Sequence, residues 1–167
     1  MKKIILIVFG LIFMITTVKA QKEKFQSLFI YNFCKYVKWP QNQQSGDFVI
    51  GVLGTASITK TLKTMSVSKK VSGSTIVVRE FNSTDDIKGC HILFVAESES
   101  GKMSQVVSKT TGQSILIVTD KPGLAKEGAA INFIMKDGKI KFELNQQDAE
   151  SRGLKISSSL VSLAILV

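Results

Sequence analysis

The sequence is poor in the residues that build metal and redox centres. Of its 167 residues two are cysteine, Cys34 and Cys90, and one is histidine, His91. No Cys/His cluster is therefore available for a structural zinc site, and no multi-bridge disulfide scaffold either. With 2 prolines and 12 glycines, the chain is neither collagen-like nor a disordered low-complexity polymer. Its only arginines, Arg79 and Arg152, stand apart and build no aromatic-interleaved basic patch, which argues against nucleic-acid binding. The mature chain has no apolar run of the roughly 20 residues that a membrane span needs; the nearest, Leu160 to Val167, is under half that length. The fold must rest on its hydrophobic core, and 44% apolar residues supply one.

The N-terminus reads as an export signal. Met1-Lys2-Lys3 is a short basic region, Ile4 to Val18 is an almost unbroken apolar run, and Val18-Lys19-Ala20 precedes Gln21 as a cleavage site. Residues 1–20 are thus expected to be a signal peptide and 21–167 a single domain. Removing Lys2, Lys3 and Lys19 lowers the formal charge from +9 to +6. That balance is compatible with an acidic partner, although scattered lysines more often only solvate a surface. The expected location is the periplasm, with no stable membrane insertion.

Hydrophobic periodicity predicts a mostly parallel α/β sheet. From Glu23 to Trp39 the residues Phe25, Leu28, Phe29, Phe33, Tyr36 and Val37 recur at helical spacing, and Lys24, Ser27, Tyr31, Lys35 and Lys38 form the other stripe. Pro40 disfavours helix at Trp39 and should end the element there. Continuous apolar runs at Asp47 to Leu53, Ser74 to Phe81, His91 to Ala96 and Ser114 to Thr119 read as strands covered on both faces. Helical stretches at Ser57 to Met65 and Gly101 to Lys109 lie among them. Ile131 to Met135 and Ile140 to Leu144 alternate in period two around Asp137-Gly138, a dipeptide suited to a type I′ turn. The hairpin register pairs Ile131 with Leu144, Phe133 with Phe142 and Met135 with Ile140 on the buried face, and sets Lys136 opposite Lys139. Asn145 to Ser151 reads as a helix closed by Gly153, and Ile156 to Val167 as a last helix. The expected fold is a single α/β domain with a central sheet flanked by helices, a C-terminal β-hairpin and a final helix.

Five stretches together resemble one family: FIYNFCKYVKWP (Phe29 to Pro40), FVIGVLG (Phe48 to Gly54), DIKGCHILFVAES (Asp86 to Ser98), Ile115 to Asn145, and AESRGLKISSSLVSLA (Ala149 to Ala164). Their order and spacing over nearly the whole mature chain are similar to the YfiR-like exported bacterial proteins. The resemblance implies a periplasmic protein that binds and represses a membrane-bound diguanylate cyclase, lowering cyclic-di-GMP signalling and biofilm formation. It also implies relatives that serve other membrane sensors, such as histidine kinases. Cys34 stands where the family commonly has a small residue such as Ala, and Ala129 replaces a frequent Gly. The first departure leaves open whether the family's disulfide arrangement carries over.

The candidate chemistry divides between contact and catalysis. A hydrolase would need His91 as base beside an activated nucleophile, and no G-x-S-x-G elbow is present; a structural role at a strand end is expected for it. Asp120 follows the fourth strand, where open parallel sheets place ligand groups, but Asp120-Lys121-Pro122-Gly123 also has the makeup of a turn. Gly51 to Ser57 matches no nucleotide-binding fingerprint; it reads as a tight connection capped by Thr55 or Ser57, with an anionic or zwitterionic ligand as the second reading. Cys34 and Cys90 are either bridged or two buried thiols. Tyr31, Lys35, Lys38 and Trp39 mix aromatic and cationic groups as interface hot spots do and are the expected partner-binding residues, Trp39 having the alternative of a core plug. No cofactor and no metal are expected, and the oligomeric state, a homodimer included, stays open. The function expected is a non-enzymatic periplasmic repressor of a membrane sensor; the alternative is a periplasmic receptor for a small envelope ligand.

Overall fold

The computed structural model describes residues 21–43 and 46–167. The predicted signal peptide lies outside the described residues. Helix α1 covers 21–36 and runs into strand β1 (Val37–Lys38). Strand β2 (Phe48–Leu53), helix α2 (Ile58–Ser68) and strands β3 (Lys70–Val71) and β4 (Ser74–Phe81) follow. Next come β5 (Ile92–Val95), α3 (Met103–Lys109) and β6 (Leu116–Thr119). The chain closes with β7 (Ile131–Lys136), β8 (Lys139–Leu144), α4 (Gln146–Ser151), β9 (Lys155–Ile156), α5 (Ser158–Val161) and β10 (Ile165–Leu166).

An eight-stranded sheet in the order β10-β8-β7-β6-β5-β2-β4-β3 organises the domain. β4, β2, β5, β6 and β7 run parallel, as expected of continuous apolar runs, since parallel strands need crossovers that cover both faces. Every residue of β2, β5 and β6 is buried. Alternate residues feed two cores. Ile50, Val52, Ile92, Phe94, Leu116 and Val118 meet Ile30 and Phe33 of α1 and Ile58 and Leu62 of α2. On the opposite face Leu53, Leu93, Val95 and Ile117 meet Met103 and Val106 of α3.

The hairpin forms in the predicted register, with Asp137 (φ 52°) and Gly138 (φ 69°) supplying the left-handed turn and Lys136 opposite Lys139. Its tip leaves the core, however: Met135, expected on the buried face, is 60% exposed. Between the strands, Thr119 Oγ1 donates to Asn132 Oδ1 (2.8 Å), and Asn132 Nδ2 donates to Glu143 (2.8 Å). This relay satisfies a completely buried amide.

Three expectations are corrected. α1 ends at residue 36, because Val37 and Lys38 pair with Ile156 and Lys155 of β9. The helix also lies rotated from the expected phase. Gln26, Ser27, Ile30, Phe33 and Cys34 face inward, whereas Phe25 (46% exposed) and Leu28 (53%) face out. The final helix shrinks to the single turn α5, opened by Ser157 Oγ, which accepts from Leu160 N–H. After Leu160 enters the core, Ile165 and Leu166 pair with Glu143 and Leu144, because an unpaired β8 edge offers hydrogen bonds that a further helical turn would leave unused.

Phe33 joins α1 to the hairpin: its ring centroid lies 6.3 Å from Phe29, 5.9 Å from Phe133 and 5.2 Å from Phe142. Phe33→Ala removes a fully buried ring whose four-ring setting cannot collapse around the void, and the expected loss is about 3–5 kcal/mol. Urea denaturation followed by circular dichroism checks this; a loss below about 1 kcal/mol would refute the packing account.

Candidate functional site

The strand order opens a crevice at one end of the sheet. The chain leaves β2 for β4 on one side and then crosses to β5 on the other. The connections after β2 and β5 therefore diverge, and open α/β sheets bind ligands outside the carboxyl ends of strands at such a point. A crevice of about 310 Å³ lies there, with Thr55 to Ile58 after β2, Glu97 after β5, Asp120 after β6 and Lys22 and Gln26 of α1 in its wall. Of the two expected caps, Thr55 or Ser57, Ser57 stands at the start of α2 but forms no side-chain cap bond there.

Asp120 is the chemical centre of this crevice. Its Oδ2 accepts from Lys22 Nζ (3.2 Å) and from Gln26 Nε2 (3.3 Å), so the first turns of α1 are tied to the end of β6. Its Oδ1 is buried and accepts no hydrogen bond from the described residues. A carboxylate with one oxygen paired and one unpaired suits an ammonium or amide donor. The turn expected from Asp120 to Gly123 is also present, with Gly123 left-handed at φ 93°. Among the described residues no group of three His, Cys, Asp or Glu side chains is placed to hold a metal ion.

His91 lies at the other end of the sheet and is held by backbone on both sides. Nδ1 accepts from Val49 N–H (3.0 Å), and Nε2 faces the Gln43 carbonyl (2.8 Å), which fixes the tautomer with its proton on Nε2. The ring stacks on Phe48 at 4.4 Å, and Trp39 Nε1 donates to the His91 carbonyl (3.3 Å). This is the structural role expected of it.

The four expected partner-binding residues are neighbours, but they differ in exposure. Lys35, Lys38 and Trp39 line a cleft of about 580 Å³ together with Asp47 and His91. Lys35 and Lys38 are exposed, but Trp39 is only 6% exposed and packs edge-on to Phe48 at 5.1 Å. As a surface anchor Trp39 is corrected to the core plug, because its ring completes the seal over the start of β2. Tyr31 stands beside this cleft. Its hydroxyl donates to the Lys70 carbonyl (3.3 Å), and Lys35 and Lys69 place their ammonium groups 5.2 and 5.7 Å from its ring. Tyr31 thereby ties α1 to β3.

The bridge between Cys34 and Cys90 is also corrected. Both thiols are free, and they belong to cores on opposite faces of the sheet, so the sheet itself separates them. Cys34 donates to the Ile30 carbonyl (3.1 Å). Burial pushes the Cys34 thiol well above its ordinary range. Burial likewise raises Cys90 to about 12, against a partial pull downward from the Arg79 charge.

A doubly wound α/β domain with a crevice at its switch point is what fold and site define. The chain belongs to the YfiR/HmsC-like family, whose model matches residues 23–165. Two solved structures share the fold: the ABC domain from Streptococcus pneumonia in complex with L-Trp, and a conserved domain protein from Vibrio cholerae O1 biovar El Tor. The first is 16% identical with a TM-score of 0.53, over 72% of this chain and 55% of its own. The second is 12% identical with a TM-score of 0.54, over 71% of this chain and 54% of its own. The chain thus spans little more than half the length of either. A search of curated proteins found no match. Among the described residues no helix is long and apolar enough to cross a membrane.

The free, buried thiols carry a direct expectation. Neither cysteine reacts with Ellman's reagent in the native protein at neutral pH, and both react in denaturant without added reductant. Stability should also fall as pH rises above about 9, because the unfolded chain then releases thiol protons that the folded chain retains. Detection of a disulfide in the unreduced protein by mass spectrometry would contradict this assignment.

Proposed function

We propose that this protein binds the periplasmic part of a membrane-bound signalling enzyme, a diguanylate cyclase or a related sensor such as a histidine kinase, and holds it in its less active form. The observation that carries this reading is the family match across residues 23–165. The reading is non-enzymatic. It is supported by the commitment of both His91 nitrogens to backbone groups and by the burial of both thiols, which leaves these three side chains no reactive form to present. Repression then works by population shift: the partner is biased only by the difference in affinity for its two states, and a tenfold reduction in the active form needs about 1.4 kcal/mol.

A second reading rests on Asp120. Its buried, unpaired Oδ1 in the crevice favours a small ligand that offers an ammonium or amide hydrogen, either as a signal in its own right or as the trigger that releases the partner.

Deleting the gene should raise cellular cyclic-di-GMP several-fold, and the exported chain should restore the lower level and co-purify with one membrane sensor from the envelope fraction. Unchanged cyclic-di-GMP, or turnover by the purified protein that disappears in His91→Ala, would overturn the regulatory reading. The ligand reading predicts a rise in melting temperature with a periplasmic amino acid or amine that is absent in Asp120→Asn.

A further inference from the structure

The rotation of α1 leaves apolar residues outside the core, and they are not scattered. The exposed Phe25 and Met135, with Phe29 and Ile140 partly buried against the core behind them, line a single groove of about 700 Å³. Leu28, 53% exposed, belongs to the same outward-facing stripe of α1. Isolated exposed apolar residues are ordinary, but a continuous channel between two rigid elements is the form of a recognition surface. The helix is fixed beneath it by Phe33, and the hairpin by its paired register, so the groove exists before anything fills it.

The charges beside the groove decide what fits. Lys22 and Lys139 line it, Lys22 being ion-paired with Asp120, and Lys136 stands across the hairpin from Lys139 just outside the lining, with Asp137 at the turn between them. A second copy of this chain placed across a two-fold axis would set these lysines against themselves, which opposes self-association. A segment with apolar residues along one side and carboxylates flanking them would fill the groove and meet the charge of Lys139 and its neighbour Lys136 at the hairpin tip. We infer that this groove is the docking site for an acidic amphipathic helix of the membrane signalling protein, lying between α1 and the β7–β8 hairpin. The inference rests on the regulatory reading above and names the surface and partner chemistry that it uses. It moves the contact away from Lys35, Lys38 and Trp39, which line a different cleft.

The test uses the full exported chain and two variants at exposed positions: a charge reversal, Lys136→Glu with Lys139→Glu, and a polar replacement, Leu28→Ser with Met135→Ser. The binding probe is a fluorescein-labelled amphipathic helical peptide of leucine and glutamate, with its scrambled sequence and a leucine–lysine version as controls. The wild-type chain should bind the acidic peptide alone. Charge reversal should weaken binding at least tenfold and flatten its salt dependence, and the polar pair should weaken it at least tenfold with the salt dependence kept. In cells, both variants should raise cyclic-di-GMP to the level of the gene deletion while retaining the wild-type melting temperature. Variants that fold and repress like wild type, in a strain where deletion does raise cyclic-di-GMP, would overturn the docking site and leave the regulatory reading intact. No effect of the deletion itself would remove that reading. Equal binding of the scrambled peptide, binding to phosphatidylglycerol vesicles in place of the peptide, or a wild-type dimer that Leu28→Ser dissociates would each overturn the proposal as well.

Discussion

The contact on which the other features depend is the aromatic clamp between α1 and the hairpin. Phe29 and Phe33 meet Phe133 and Phe142 at centroid separations from 5.2 to 6.0 Å. Such pairs contribute roughly 0.5–1.5 kcal/mol each beyond the area they bury. More important is their geometry, because they fix both the position and the rotation of α1. One end of that helix then lies over the carboxyl ends of the strands, where Lys22 and Gln26 reach Asp120. The same rotation turns Phe25 toward Met135 and Ile140. Crevice and groove are two consequences of one packing decision.

The sheet was legible in the sequence because its signals are local. Continuous apolar runs place β2, β4, β5 and β6 within a residue or two, and Asp137-Gly138 sets the hairpin register by itself. The face of α1 was not legible, for a specific reason. Phe25, Leu28 and Phe29 recur at helical spacing, but so do Ile30, Phe33, Cys34 and Val37, and periodicity alone cannot choose between overlapping stripes. The choice falls on the second set because Phe33 packs against Phe133 and Phe142 and the polar Gln26 that turns inward with it donates to Asp120. The partner of Gln26 is 94 residues away, beyond any local signal.

The same distinction explains the remaining differences. The apolar residues after Ser157 satisfy a helical pattern as well as they satisfy a turn followed by an edge strand, and only the open side of β8 decides. Trp39 carries an indole that suits an interface, yet its N–H finds the His91 carbonyl, 52 residues on, and its ring finds Phe48. Asp120 could be read as a turn residue from its neighbours, but its place under α1 depends on Lys22, 98 residues earlier. In each case the local pattern is compatible with two outcomes and a long-range polar partner selects one.

Lys22 borders both the crevice and the groove, and it is ion-paired with Asp120 at 3.2 Å. Any group that draws its ammonium into one cavity must weaken the pair at the edge of the other, so the two cavities are thermodynamically linked, and the linkage is reciprocal. Its size is bounded by the pair itself. The lysine is 42% exposed, and an ion pair screened in this way contributes at most about 1 kcal/mol, a factor of roughly five in affinity. Moving a two-state partner from 1:99 to 99:1 requires about 5.5 kcal/mol. On the proposed docking, Lys22 would tune how tightly the groove is occupied without by itself switching a partner, and most of the bias would come from apolar contact along α1 and the hairpin.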